Sequence, residues 1–179
     1  MKRAVFLDRD GVINQTIFRD GKPRAPDHLE DFHFFPGVPE AVRDLKQAGF
    51  LIIVVTNQPD VARGWQKKEV VEAMNRKVLD ELEVDAVQVC YHVEKDECLC
   101  RKPKPGMLTE AASQWSIDCS RSFMVGDRYG DIEAGVAAGC ISSILVGPGD
   151  TQGSSPEPAA RVNSLREAAD WILALVERK

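Results

Sequence analysis

The segment AVFLDRDG, residues 4–11, decides how the rest of the chain is read. A short apolar run halts abruptly on charge, which suits a strand buried on both faces better than a helix. Asp8 and Asp10 stand just past its end, and Gly11 closes the segment. Four more runs of the same kind follow: FLIIVVT (50–56), AVQVCY (86–91), SFMVGD (122–127) and CISSILVG (140–147). Each is short, carries β-branched or aromatic residues, and is bounded by Gly, Pro or a polar residue.

Helical patterns separate these runs. Residues 37–48 place Val38, Ala41, Val42 and Leu45 on one face, and Gly49 follows as a stop. Residues 67–82 repeat the pattern with Val70, Val71, Met74, Val78, Leu79 and Leu82, and residues 105–115 do so with Leu108, Ala111, Ala112 and Trp115 behind Pro105. A short small-residue helix is expected over 131–138, and a last helix over 164–177 with Leu165, Ala168, Ala169, Ile172 and Val176 inward. GPGDTQGSSPEPAA (147–160) reads as a surface loop, and there are no internal repeats. Alternating strands and helices predict an α/β fold: a Rossmann-like, mainly parallel sheet sandwiched by helices. Ligands of such folds lie beyond the carboxyl ends of the strands, so Asp8, Thr56, the 90–102 segment and Asp127 are expected to converge on one edge.

At 179 residues the chain is most simply one domain, 1–179. A net charge of −5 argues against a nucleic-acid partner but leaves room for a small phosphorylated substrate. The first apolar run is too short for a signal peptide, and nothing approaches the ~20 apolar residues of a membrane span, so no membrane partner is expected. Five cysteines, three of them clustered, fit a reducing compartment rather than a disulfide framework. A cytoplasmic monomer is the expectation.

The strand-end residues can carry chemistry. In DRDG (8–11), one carboxylate can attack as a nucleophile and the other can move a proton, and Asp127 could join Asp8 in holding Mg²⁺. Alone, D-x-D-G is as readily a surface turn. TNQ (56–58) offers a hydroxyl and amides to phosphoryl oxygens, although such a triplet by itself is more often a cap or turn. Lys102 supplies a fixed positive charge and Arg101 a planar fork for a second phosphate, where RKPKP alone would read as a solvated charge run. Asp131, in GDRYGD (126–131), can simply cap the helix that follows it.

Cys90-x-His92 and Cys98-x-Cys100 place four N and S donors in two close pairs. That set suits tetrahedral Zn²⁺ in a closed structural site and leaves no position for a catalytic water. The alternative is a group of buried thiols, to which the intervening VEKDE is poorly suited. A zinc loop at 90–100 would fix the segment presenting Arg101 and Lys102. Cys119 and Cys140 read as small residues near the core, and His28 and His33 are assigned nothing.

In this order DRDG, TNQ, Lys102 and GDRYGD resemble the four motifs of the haloacid dehalogenase superfamily of phosphohydrolases, over residues 4 to about 146. The resemblance implies Mg²⁺-dependent phosphoryl transfer through an aspartyl-phosphate. Asp8 is then the nucleophile and Asp10 the general acid and base. Thr56 and Lys102 hold the phosphoryl group, and Asp8, Asp127 and the Asp10 carbonyl hold Mg²⁺. The metal loop ahead of CRKP is similar to the branch containing heptose bisphosphate and histidinol-phosphate phosphatases. FLDRDGVIN (6–14), VARG (61–64) and CRKPKPGML (100–108) look closer to the heptose enzymes. That implies the 7-phosphate of a heptose 1,7-bisphosphate, a lipopolysaccharide precursor, as the target, with histidinol phosphate as the alternative. Arg101 would then recognise substrate, with Asn57, Gln58, Arg63 and Arg128 as further contacts.

Three features depart from the branch: TNQPD in place of TNQSG, Arg128 where lysine is usual, and FRDGKPRAP (18–26), which matches no assignable pattern. Without a sizeable insertion no large cap domain is expected, and the loops at 14–28 and 58–66 must select the substrate with the zinc loop. A receiver domain offers similar residues, but its phosphorylated aspartate belongs to the third strand and not the first. A zinc-stabilised phosphoacceptor without turnover is the non-enzymatic alternative.

Overall fold

In the computed structural model, which describes residues 1–19, 21–149 and 156–177, strands and helices alternate along the chain. The elements are β1 (Arg3–Leu7), a hairpin of β2 (Ile17–Arg19) and β3 (Lys22–Arg24), α1 (Val38–Gln47), β4 (Phe50–Asn57), α2 (Lys68–Leu82), β5 (Ala86–Cys90), α3 (Gly106–Trp115), β6 (Phe123–Gly126), α4 (Tyr129–Ala137), β7 (Ser142–Val146), β8 (Ala160–Val162) and α5 (Leu165–Glu177). Six strands form one sheet in the order β5-β4-β1-β6-β7-β8, with every neighbouring pair parallel.

The period-2 alternation of the strands divides the core in two. Val5, Leu7, Ile52, Val54, Phe123 and Val125 belong to one apolar cluster, shared with α1, α2 and α5. Ala4, Phe6, Ile53, Val55 and Met124 belong to the other, with Met107, Leu108 and Ala111 of α3 and Ala134 of α4. Both faces are therefore covered, as an all-parallel sheet requires. No helix among the described residues is long and apolar enough to cross a membrane.

From β1 the chain winds outward through β4 to β5, then returns to β6 on the opposite side of β1. This reversal opens a crevice at the carboxyl ends of β1 and β6. Register aligns the ends: Leu7 lies opposite both Val54 and Val125, so Asp8, Thr56 and Asp127 all emerge at the crevice.

Three elements differ from the sequence expectation. The hairpin was not anticipated: its strands have three residues each, and Pro23 sits in a two-stranded ribbon where its missing N–H costs little. β8 lies within and just beyond the expected 147–160 loop and pairs with β7 as a sixth strand; residues 150–155 of that loop are outside the described residues. α4 begins at Tyr129 and not at Asp131, because the Asp131 carboxylate reaches back from the third helical position to the Arg128 N–H at 3.1 Å.

Candidate active site

Lys102 organises the crevice. Its side chain is 4% exposed, and its ammonium has three acceptors: Asp8 Oδ1 at 2.7 Å, Asp131 Oδ1 at 2.6 Å and the Val55 carbonyl at 2.7 Å. Three donors thus meet three partners. Burial alone would favour the neutral amine, but Asp131 and Asp8 outweigh it and raise the pKa of Lys102. The Asn57 side chain fixes the backbone at this residue, donating to the Lys102 carbonyl at 3.0 Å and accepting from the Lys102 N–H at 3.1 Å.

Negative charge exceeds positive in the pocket. Carboxylate oxygens of Asp8, Asp127 and Asp131 lie within 4.8 Å of one another around this one buried ammonium. Burial pushes Asp8 up to about 6, with Lys102 pulling the other way. Asp127 rises to about 8, through burial first and then repulsion from Asp8 and Asp131. Its Oδ1 is buried without a hydrogen-bond partner, and Arg128 Nε stands 3.9 Å away on a half-exposed side chain. Asp131 is already engaged at both oxygens, by Lys102 and by the Arg128 N–H. Asp8 and Asp127 therefore remain as side-chain donors, and hard oxygen ligands with uncompensated charge fit Mg²⁺.

Two glycines make this crowding possible. A Cβ on Gly11, whose φ is +89°, would lie 2.3 Å from Asp127 Oδ2, and one on Gly126 would lie 2.1 Å from Asp131 Cβ.

Asp10 is held separately from the Lys102 group. Its carboxylate accepts from Arg9 Nη2 at 2.9 and 3.1 Å, from Asn14 Nδ2 at 2.9 Å and from Gln58 Nε2 at 2.6 Å. Gln58 also donates to Thr56 Oγ1 at 3.0 Å, which leaves the Thr56 proton available to another acceptor. The amides of Asn57 and Gln58, expected to meet substrate, are instead engaged in orienting Lys102, Asp10 and Thr56.

The second metal candidate lies just ahead of Lys102. Sγ of Cys100 is 3.2 Å from Cys90 and 3.4 Å from Cys98, Cys90 is 3.7 Å from Cys98, and His92 Nδ1 lies 3.4 Å from Cys100 and 3.7 Å from Cys90. Sulfurs held at ~2.3 Å by a tetrahedral zinc stand roughly 3.8 Å apart, so the set is close to a ligated arrangement. Burial, then the neighbouring Cys100, pushes the Cys90 thiol up to about 12. Arg101 Nη1 reaches the His92 carbonyl at 3.4 Å, and Gly106 admits the Leu99 carbonyl, which would stand 2.2 Å from a Cβ.

The remaining candidate lies on the rim. Arg63 pairs with Asp60 at 2.8 Å, stacks 5.3 Å from Trp65, and borders an open cavity of about 850 Å³ also lined by Val93, Glu94, Lys95 and Glu97 of the β5–α3 loop. Sequence reasoning missed Arg9, Asn14 and the role of Asp131 on Lys102. Asp131 had a signal, since it is an acid in the first turn of the helix that directly follows Asp127.

A parallel sheet with a cation-ready carboxylate cluster and a buried lysine at its switch point defines the class: an α/β enzyme that handles an anionic group beside a divalent cation. The chain belongs to the haloacid dehalogenase-like hydrolases, whose family model matches residues 20–139. It is similar to the D-glycero-β-D-manno-heptose-1,7-bisphosphate 7-phosphatase of Escherichia coli, with 37% identity over 95% of this chain and 87% of the relative. The enzyme of the same name from Rhodopseudomonas palustris is 40% identical over 76% of this chain and 79% of its own length. Among solved structures, the D,D-heptose 1,7-bisphosphate phosphatase of B. bronchiseptica, complexed with magnesium and phosphate, superposes with a TM-score of 0.83. That structure is 32% identical, and the match covers 97% of this chain and 99% of the other.

Proposed function

We propose that this protein hydrolyses the 7-phosphate of D-glycero-β-D-manno-heptose 1,7-bisphosphate through an aspartyl-phosphate formed on Asp8. The observation that carries the reading is the division of labour between two neighbouring carboxylates. Asp8 is held at one oxygen by Lys102, and Asp10 is held apart from it by N–H donors alone. The names of the relatives support the substrate.

Lys102 fixes Oδ1 of Asp8, which leaves the other oxygen to attack phosphorus, and adds positive charge where the transition state gathers negative charge. Thr56 donates its free proton to a phosphoryl oxygen. Asp10 protonates the departing sugar oxygen and then takes a proton from the water that cleaves the acyl phosphate. Asp8, Asp127 and the Asp10 carbonyl would hold Mg²⁺, which when bound screens the repulsion between carboxylate and phosphate. Cys90, His92, Cys98 and Cys100 would hold Zn²⁺ as a closed structural clamp. Arg101, Arg63 and Arg128 would meet the sugar and its second phosphate. One copy of the chain carries all these groups, so a monomer suffices, and cysteines kept out of disulfides suit the cytoplasm.

Phosphate release with Mg²⁺ across both heptose bisphosphate anomers, other sugar phosphates and histidinol phosphate tests this reading. The β-heptose bisphosphate should lead the panel by at least about tenfold in kcat/KM, a margin of roughly 1.4 kcal/mol. Turnover of histidinol phosphate with none of the bisphosphates would overturn the substrate, and full activity in Asp8→Asn would overturn the mechanism.

A further inference from the structure

Arg9 stands between Asp8 and Asp10 in the chain, and it is the largest fully buried side chain among the described residues, at 0% exposure. Burying a guanidinium is costly unless its donors are met, so such a residue needs a reason at this position. Nη2 grips both oxygens of Asp10, and Nη1 donates to Asn75 Oδ1 at 2.7 Å. The guanidinium also lies over the Phe32 ring, 5.4 Å from its centroid.

Asn75 is itself out of place by composition. It lies on the inward face of α2 among Val71, Met74, Val78 and Leu82, and it is buried. Arg9 is the partner its side chain meets there. A buried amide in an apolar stripe weakens the helix's packing, and here its oxygen faces an arginine whose other arm holds Asp10.

We infer that Arg9 and Asn75 form a positioning couple that sets the carboxylate of Asp10 for proton transfer to the leaving group. The inference rests on the phosphatase reading and adds α2 to the machinery of the site. Neither residue touches the reacting atoms. Asn75 fixes the guanidinium, and the guanidinium fixes the direction in which Asp10 presents its proton. Small displacements of a proton donor reduce rates steeply, so loss of the couple should be felt where a proton is needed most.

The chemistry supplies a readout that a structural role would not move. A sugar alkoxide is a poor leaving group and needs the proton from Asp10, whereas 4-nitrophenolate departs well without it. The parameter kcat/KM covers the steps up to that departure. It would be measured with saturating Mg²⁺ for heptose 1,7-bisphosphate and for 4-nitrophenyl phosphate, in wild type, Asp10→Asn, Asn75→Leu and Asn75→Asp, with melting temperatures alongside. Asn75→Leu should lose roughly tenfold or more on the sugar phosphate and no more than about twofold on the aryl phosphate. Asn75→Asp, which keeps an acceptor for Arg9, should stay within about threefold of wild type on both. Equal losses on both substrates, or none on either, would overturn the inference. A wild type inactive on the heptose bisphosphate would instead overturn the proposed substrate. An active wild type whose Asp10→Asn variant shows the leaving-group bias, while Asn75→Leu does not, would remove the couple alone.

Discussion

Asp127 is the residue at which charge, burial and metal affinity meet most directly. Its pKa rises to about 8 and that of Asp8 to about 6, both led by burial. An unfolded aspartate titrates near ~3.9, so the folded, metal-free chain binds more protons than the unfolded chain between about pH 4 and pH 8. These two groups therefore reduce stability as pH rises through that window. Mg²⁺ held by the ionised pair, as proposed above, would offset the loss, so its contribution should grow with pH. We expect the rise in melting temperature on adding Mg²⁺ to be small near pH 5.5 and several-fold larger near pH 8, roughly in line with ligand linkage. A rise that is flat or shrinks with pH would contradict the assignment. Gly11→Ala probes the same site sterically: a Cβ at 2.3 Å from Asp127 Oδ2, on a backbone with φ of +89°, should weaken Mg²⁺ at least about tenfold and cost roughly 1–3 kcal/mol of stability. Activity titrated against Mg²⁺ and a denaturant melt would measure both. At this scale the strand-end acids were legible, because charge after a short apolar run is a strong local signal. The grip of Asp131 on Lys102 and the burial of Arg9 were not, because both depend on elements distant in the chain.

Among the elements, the loop between β5 and α3 has the clearest mechanical role. Its four N and S donors converge, its end is pressed against Gly106, and Asn57 grips the backbone of Lys102 from β4. Cys98→Ser should lower bound zinc from about one equivalent to well below it, and lower the melting temperature, since metal affinity at such a site is also folding free energy. Because the Asn57 grip and the three acceptors of Lys102 persist, kcat/KM should fall without vanishing, by about ten- to a hundredfold. Metal analysis of protein purified without added metal, with kinetics on the same samples, provides the check; unchanged zinc and melting would exclude a structural metal. The convergence of the four N and S donors was legible from their spacing. β8 and the hairpin were not: runs of three residues carry too little periodicity, and Pro23 argues against a strand unless the ribbon is known to be isolated.

Across the whole molecule, the sheet separates the parts that react from the parts that hold. The strand ends of β1, β4 and β6 carry Asp8, Thr56 and Asp127, while α5 packs its Leu165, Ala168, Ala169 and Ile172 into the cluster on one face of the sheet. α5 is joined to α1 through Arg166 and Asp44 at 2.6 Å, and Trp171 stands edge-on to Phe123 with ring centroids 6.5 Å apart. This packing closes the core over β6 and β7, yet it supplies none of the groups around Lys102. Ile172 is fully buried, so Ile172→Ala should leave a cavity and cost about 2–5 kcal/mol. If holding and reacting are separate functions of the fold, that loss should appear in the denaturation midpoint while kcat/KM of the folded protein stays within about twofold of wild type. A fall in kcat/KM at a temperature where the variant is fully folded would mean that α5 transmits strain through β6 to Asp127. The parallel sheet would then act as part of the catalytic apparatus and not only as its support.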